Sequence, residues 1–433
     1  VSLTAATGTV AGGNAVSAGG LLTVQATGAG GAVTLGNVTG TGVDVDSTGN
    51  VALGTIAGGN NAVDLDSTGG SVTFGATNSG LLTADGQAGI AANGAINATG
   101  AASLNAATGN ISGGNSVTTS GLLTVQANGA GGAVTLGNVS GAGVNVDSVG
   151  NIILGTITGV DGAAVDLNSN GGGLTFGAST STGTFTARAT GALAAGTNDI
   201  TATGVLQLTA EGGNVTAGSL TGAGVTVNAA GNTITLASTI DSQNGVTTLA
   251  ADALVGTNGL NIQDSADVNL NVQTATISGG SFTIDNDITG RINAANLTAI
   301  TVQGAGSLTW KSSVADVGAN AAIDVNNAVV QAGNISLTTT NAQGSINQGV
   351  GGSFTVNANG GDISLSQTSA VTIGDGGFRL AGNKAFIDLN AESGAGTVII
   401  EGTNTFNSLA ASGTLVVLAG DQTADGGAIN LTS

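Results

Sequence analysis

The chain lacks Pro, Cys, Met, His and Tyr altogether, and it has a single Trp among its 433 residues. Without Cys it can form neither disulfides nor reactive thiols. Without His, Cys or Tyr, the usual pairs of nucleophile and base are missing, so the composition predicts that the protein is not an enzyme. A disordered chain would be richer in Pro and in charge than this one, in which only 7% of residues are charged.

Positively charged residues are also scarce. Five Lys and Arg stand against 25 Asp and Glu, the net charge is −20, and the first cation along the chain is Arg188. Nucleic acids and anionic membrane surfaces both require clustered cations, so neither is expected as a partner. No apolar run approaches the roughly 20 residues that span a bilayer. Val1 opens directly into patterned sequence without a signal peptide, which is expected of a mature chain or of a segment of a longer one.

An internal repeat dominates what is present. Residues 20–50 match residues 121–151 at 26 of 31 positions, with an offset of 101. A third, more diverged copy at 218–232 follows the second copy at an offset of 81. The two offsets differ by 20, which is the effect of losing one unit of about 20 residues.

Shorter segments of apolar-x-apolar pattern recur about every ten residues. They begin at Leu22, Val33, Val43, Val51, Val63, Val72 and Leu82. This alternation predicts strands with one buried face, and the Gly, Asn, Ser and Thr residues between them predict turns. No sustained 3.6-residue period is present, so almost no helix is expected.

Like strands that recur one unit later predict an all-β parallel β-helix, or β-solenoid. With roughly 20 residues per coil, residues 1–433 would form one continuous solenoid of about 20 coils, more regular over 1–240 and more diverged over 241–433. At the spacing of β-strands this is a rod on the order of 100 Å long. Phe74 and Phe176 are expected inside, and period two places Trp310 inward and Lys311 outward.

Three segments carry a resemblance to a known family. They read "GLLTVQATGAGGAVTLGN", "GNISLTTTNAQGSINQ" (333–348) and "GGDISLSQTSAVTIGDGG" (360–377). In pattern and composition they resemble the repeat region of filamentous-haemagglutinin-like bacterial adhesins, which are often exported by two-partner secretion. The resemblance extends over nearly all of the chain, although the secretion domain of that family is not evident. It implies a secreted or cell-surface protein that acts in adhesion or biofilm formation, and it supplies no catalytic residues.

Paired aspartates are the candidate metal ligands. Asp44 and Asp46 should point outward because Val43 and Val45 point inward, and Asp64 and Asp66 should lie one coil further on. Four carboxylates at such a spacing would suit Ca²⁺. The later copies place Asn and Thr at several of these positions, which favours a solvated column over a required metal cage. The expectation is therefore no cofactor, with Ca²⁺ as the remaining possibility.

A carbohydrate-active β-helix enzyme is one of two alternative interpretations, since such enzymes work with Asp, Lys and Arg in a cleft. The best carboxylate candidates are "IDND" (284–287) and "FIDLNAE" (386–392), the latter near Arg379 and Lys384. The other alternative is a calcium-dependent extracellular matrix protein.

The leading hypothesis is an extracellular structural or adhesive shaft that mediates attachment or matrix assembly and contacts cell-surface or matrix glycans or proteins. The first residues match a later repeat copy, and "GAINLTS" at the other end still alternates like a strand. Neither reads as a polar cap, so the coils are expected to continue in a longer chain or to stack head to tail between copies.

Overall fold

The structure is a computed structural model, and the chain is described over part of its length. The structure describes residues 1–243, 245–263, 265–285, 290–294, 296–304 and 306–313. Between residues 314 and 431 it describes only separate strands. Every regular element of this part is a β-strand, and the strands pair in parallel. The prediction of an all-β parallel β-solenoid without helix is confirmed.

One coil consists of three strands separated by corners. In a representative coil these are Gly42–Ser47, Val51–Leu53 and Ile56–Ala57, and the next coil begins with Ala62–Ser67. Each strand pairs with its counterpart one coil later, so three parallel sheets run along the stack; they are called the first, second and third sheet, in the order of these strands. About 14 turns of roughly 21 residues are present where the chain is described most fully. The predicted coil length is confirmed, and the total of 20 coils stays a prediction.

Residue contacts divide the chain into two compact units, Val1–Gly213 and Asn214–Ser433. The idea of a single continuous solenoid over residues 1–433 therefore stays a prediction. In the first unit, the first sheet contains Ser2–Ala5, Leu21–Ala26, Gly42–Ser47, Ala62–Ser67, Leu81–Gly86, Ala102–Ala106, Leu122–Ala127, Gly143–Ser148, Val165–Ser169, Phe185–Ala189 and Leu206–Ala210. The second contains Val10–Gly12, Val33–Leu35, Val51–Leu53, Ser71–Phe74, Gly89–Ala92, Ile111–Gly113, Val134–Leu136, Ile152–Ile153, Leu174–Thr175 and Leu193–Ala194. The third contains Val16–Ser17, Val38–Thr39, Ile56–Ala57, Thr77–Ser79, Ile96–Ala98, Val117–Thr119, Val139–Gly141, Ile157–Gly159, Ser179–Ser181 and Ile200–Ala202.

In the second unit several strands are longer. Its strands are Val215–Ala217, Leu220–Thr221, Val225–Leu236, Thr239–Asp241, Thr247–Gly256, Leu260–Gln263, Val268–Ile277, Phe282–Asp285, Ile292–Asn293, Ala299–Val302, Ser307–Ser312, Ile323–Asp324, Val329–Ala332, Asn334–Thr339, Ile346–Val350, Ser353–Ala358, Ile363–Gln367, Phe378–Ala381, Phe386–Ala391, Thr397–Glu401, Thr414–Ala419 and Ala428–Leu431.

The interior of each unit is filled by columns of aliphatic side chains. Along Leu21–Ala26 the residues are alternately outward and buried. The same alternation recurs in the first-sheet strands that follow it in the first unit, apart from the buried first residues Gly42 and Gly143. Phe74 and Phe176 are buried in this interior as predicted. In the second unit Trp310 is fully buried and packs edge-on against Phe282, with ring centroids 5.3 Å apart. The predicted inward side chain of Trp310 is therefore confirmed.

Buried serines close the corner between the first and the second sheet. Ser67, which ends its strand, donates its hydroxyl to the Gly49 carbonyl of the preceding coil at 2.6 Å. Ser148 and Ser169 make the same contact with Gly132 and Gly150. All three are almost completely buried. Each contact gives a buried serine hydroxyl an acceptor and ties its corner to the corner of the preceding coil.

Asparagines hold the corners from outside. Asn37 Oδ1 accepts a hydrogen bond from the Thr55 backbone NH of the next coil at 3.0 Å, and Asn138 does the same for Thr156 at 2.9 Å. Gly54 passes directly against the first of these asparagines. A Cβ at Gly54 would lie 2.5 Å from Asn37 Oδ1 and 3.0 Å from the Asn37 backbone nitrogen. The corner therefore requires glycine for close approach rather than for an unusual φ.

Replacing Gly54 with alanine should lower the stability of the first unit. The added methyl group cannot avoid the Asn37 backbone, so we expect a loss of about 1–3 kcal/mol, measured as a lower urea midpoint. Gly114→Ala is the matched control, because no atom lies within 4 Å of a Cβ at that position. Equal midpoints for the two variants would contradict the proposed role of the corner glycine.

Candidate functional site

The outward face of the first sheet, in the first unit, is the candidate functional surface. In the strands from Leu21–Ala26 onward, the outward positions are the third and fifth residues of the segment that reads "LLTVQA" at 21–26. The first residue is a further outward position in most coils, but not where it is a buried glycine, as at Gly42 and Gly143. The first position is apolar in several coils, with exposed leucines at 21, 81 and 122. The third and fifth positions carry Thr, Ser, Asn, Gln, Asp or Arg. The face is thus a polar surface bordered on one side by an apolar column.

The aspartates singled out from the sequence stand in register on this face. Asp44 is paired with Asp64, and Asp46 with Asp66, in the ladder between neighbouring strands. Their neighbours Val43 and Val45 are fully buried, which confirms the outward direction predicted for the carboxylates. Since parallel strands lie about 4.8 Å apart, each carboxylate has another directly above or below it. The predicted juxtaposition of all four residues is confirmed.

A fifth carboxylate extends the cluster. Asp85 follows Asp66 in the same column, so Asp46, Asp66 and Asp85 form a run of three. Sequence analysis did not name Asp85 as a site residue. Its segment "LTAD" occupies the strand position of "VDVD" and "VDLD", so aligning the repeats would have revealed it.

Electrostatic repulsion and partial burial act together on these carboxylates. The pKa of Asp64 is raised above its ordinary value of 3.8, first by desolvation and then by the charges of Asp44 and Asp85 and, to a smaller extent, of the other two carboxylates. The pKa of Asp66 is raised by desolvation and then by Asp85 and Asp46. The pKa of Asp44 is raised by desolvation and then by Asp46. These three carboxyl groups therefore hold protons more tightly than isolated aspartates do.

Amide side chains terminate the run of carboxylates at both ends. Gln25 Nε2 donates to Asp46 Oδ2 at 3.1 Å, and Asn105 Nδ2 donates to Asp85 Oδ1 at 2.9 Å. Each amide occupies the same column one coil before or after the run. An amide can donate to a carboxylate without adding charge, so it compensates the end of the run at little electrostatic cost.

Further along the face, charge becomes sparser and begins to be balanced. Asn168 Nδ2 donates to Asp147 Oδ1 at 3.4 Å, and the pKa of Asp166 is raised by desolvation and then by Asp147. Arg188 follows Asn168 in the column and forms an exposed ion pair with Glu211. A pair this exposed contributes little to stability because water screens it.

The arrangement does not resemble a metal centre. Throughout the described residues, no group of three or more His, Cys, Asp or Glu side chains has the geometry to hold a metal ion. Asp44, Asp46, Asp64 and Asp66 share a flat sheet face, whereas Ca²⁺ takes six to eight oxygens that surround it. The face offers a row of acceptors to water and to diffusely held cations.

The carboxylates considered for catalysis fall largely outside what the structure describes. In 284–287, Ile284 is buried, and the side chains of the following three residues lie outside the described residues. The same holds for the side chains of 386–392 and of Arg379, and for Lys384 altogether. The catalytic interpretation thus stays a hypothesis from sequence.

Comparison with known proteins identifies no relative. No protein-family model, no curated protein and no solved structure matches the chain. Among the described residues, no helix is long and apolar enough to cross a membrane.

The acidic cluster should make the protein more stable as the pH falls from neutral. The raised pKa values mean that the folded chain binds protons more tightly than the unfolded chain, so protonation favours folding. We expect the melting temperature to rise between about pH 7 and about pH 4.5. Asp64→Asn should raise it at pH 7 and reduce this pH dependence.

Asp252→Asn is the control for the general loss of one negative charge, since Asp252 is exposed and lies in the second unit. The interpretation fails if both variants change the melting profile alike, or if the wild-type protein loses stability over this pH range.

Removing divalent cations should leave the fold intact. Because no metal-binding group is present in the described residues, we expect EDTA to change the melting temperature by no more than about one or two degrees. Differential scanning fluorimetry measures the melting temperature with EDTA and, in the reverse experiment, with added Ca²⁺. A large drop on chelation that Ca²⁺ restores would revive the calcium site.

Proposed function

We propose that the protein is an extracellular structural and adhesive shaft, as in the surface adhesins of bacteria, and that it acts in attachment or matrix assembly. The observation that carries the proposal is the repetition of one outward polar face along the first unit. Ten first-sheet strands, from Leu21–Ala26 to Leu206–Ala210, repeat it at about 4.8 Å per coil. A surface that offers the same groups many times suits weak contacts made in parallel, in which avidity exceeds the affinity of any single contact.

The negative charge of this face argues against a nucleic acid as its partner. Up to residue 187 the chain has no Lys or Arg, and the face carries carboxylates, amides and hydroxyls. Such a surface stays hydrated and repels other acidic chains, which keeps a long repeat protein soluble. The repeat pattern's resemblance to filamentous-haemagglutinin-like adhesins points in the same direction.

Of the two alternatives, neither gains a specific observation in its favour. A calcium-dependent matrix protein needs a cation site, and the described residues contain no group that could form one. A carbohydrate-active enzyme needs a cleft with an acid and a base, and its candidate residues lie mostly outside the described part of the chain.

Immunogold labelling of intact cells of the source organism tests the proposal. We expect antibodies against the purified protein to label the outside of unpermeabilised cells or the extracellular matrix. A strain that lacks the gene should attach less to surfaces, and expression of the chain should restore attachment. Label found only after permeabilisation, or unchanged attachment of the deletion strain, would contradict the proposal.

A further inference from the structure

The second unit contains a groove that the repeat pattern does not account for. It lies at a bend between the first and the second sheet and has a volume of about 500 Å³. The groove is lined by the polar side chains of Asp252, Asn271, Gln273 and Asn296 and by apolar surface that includes Ala250 and Val272. Volumes of this order are typical of sites for small molecules.

The floor of the groove exists because two neighbouring coils have no loop at this corner. Thr247–Gly256 and Val268–Ile277 each run without interruption from the first sheet into the second, and they pair along their whole length apart from the residue at the bend. In the first unit, by contrast, several residues separate Leu21–Ala26 from Val33–Leu35. At the bend Ala251 is buried and the adjacent Asp252 is exposed, so the floor presents a carboxylate at this point.

The coil before the floor supplies one wall. In Val225–Leu236 three residues lie between Ala229 and Thr233. In the neighbouring strand Thr247–Gly256 only one residue lies between the partners of these two, so the register shifts by two residues. The three residues bulge outward, with Gly231 at φ +76°. Asn228 Oδ1 accepts a hydrogen bond from the Ala230 backbone NH at 3.1 Å, which holds the bulge in place.

The coil after the floor supplies the opposite wall. Thr298 donates two hydrogen bonds to the Gln273 carbonyl, from its backbone NH at 2.8 Å and from Oγ1 at 3.0 Å. This anchors the turn that carries Asn296 above the floor. The two walls belong to strands three positions apart in the ladder, which corresponds to a separation of roughly 14 Å.

Four polar side chains converge on the groove with unused hydrogen-bonding capacity. Asp252, Asn271, Gln273 and Asn296 are all exposed, and none of them makes a side-chain hydrogen bond or ion pair with another described residue. The three amides each offer two donors and an acceptor, and the carboxylate offers acceptors only. Elsewhere on the sheets several amides are engaged, as Gln25 and Asn105 are.

The lining selects among ligand classes by its chemistry. It contains one carboxylate and no Lys or Arg, so a phosphate, sulfate or uronate group would be repelled. An apolar ligand would bury the amides without partners, which is costly. The floor's backbone groups are already paired in the ladder, so a peptide could not add to it as a strand. Hydroxyl groups, each a donor and an acceptor, match the mixture of amides and carboxylate.

We propose that this groove binds an uncharged oligosaccharide, whose hydroxyl groups hydrogen-bond to Asp252, Asn271, Gln273 and Asn296 between the Ala230–Asn232 bulge and the turn at Asn296–Thr298. The proposal goes beyond the shaft function and does not depend on it.

Saturation-transfer NMR and calorimetry on the whole chain test this. The probes are maltotriose, cellotriose and xylotriose as neutral oligosaccharides, and a heparin tetrasaccharide as the anionic comparison. We expect at least one neutral probe to bind at about 1 mM or below, and the heparin fragment not to bind. The double variant Asn271→Ala/Gln273→Ala should weaken that binding at least about tenfold.

The double variant Asn60→Ala/Gln87→Ala is the matched control, because it removes the same residue types from exposed corner positions of the first unit, away from the outward face of the first sheet. Thermal melts of both variants establish that each is folded. Four outcomes would overturn the proposal: no neutral probe binding, heparin binding as well as the neutral probes, unchanged binding in the groove variant, or equal loss in the control. None of these outcomes bears on the surface location tested by immunogold labelling.

Discussion

The parallel backbone ladder between successive coils is the constraint on which the rest of this structure depends. Every strand of the coil pairs with its counterpart about one turn later. The position of a residue in its strand therefore determines which residues of the neighbouring coils lie above and below it. The ladder consumes the backbone donors and acceptors, which leaves corners and outward side chains as the places where chemistry can vary. The buried serines, the corner asparagines and the close-packed Gly54 are all solutions to one problem, namely how to turn the chain without leaving backbone groups unpaired.

The same constraint forces like residues into columns. Inside, this is favourable, because valines and leucines stacked at strand spacing exclude water and pack well. Outside, it brings carboxylates together, as in the run of Asp46, Asp66 and Asp85. Desolvation first, and repulsion between the carboxylates second, raise the pKa of Asp64 and of Asp66. The amides of Gln25 and Asn105 limit the run at both ends. The column of carboxylates is therefore short, and an amide compensates each of its ends.

Period-two alternation was enough to predict the first and second sheets, since Leu22, Val33 and Val43 lie at the buried positions of real strands. The third sheet was missed because its strands are too short to alternate. Ile56–Ala57, for example, has two residues, and only its position in the ladder makes it a strand. The outward direction of the four aspartates followed from their aliphatic neighbours, which are buried at Val43, Val45, Val63 and Leu65.

The amide partners and the groove could not be predicted in the same way. The hydrogen bond of Asn105 depends on which residue the register places beside it. The groove depends on the absence of a loop in two coils and on two extra residues in a third, and these differences are slight in a sequence rich in Gly, Ala and Asn. The groove could have been found in the sequence only from differences in the lengths of the repeats, because the types of residue there are the same as elsewhere in the chain.

Because each coil pairs only with its two neighbours, the ladder also has an evolutionary consequence. Removing one whole coil brings together two coils that present the same strand positions, so the shortened chain can re-form the backbone ladder. The offsets of 101 and 81 between the repeat copies are what such a deletion leaves behind. Near-identical repeats in a gene invite unequal recombination, and a fold of this kind makes many of the products viable. Natural variants of this protein should accordingly differ in length by whole coils, with the remaining coils unaltered.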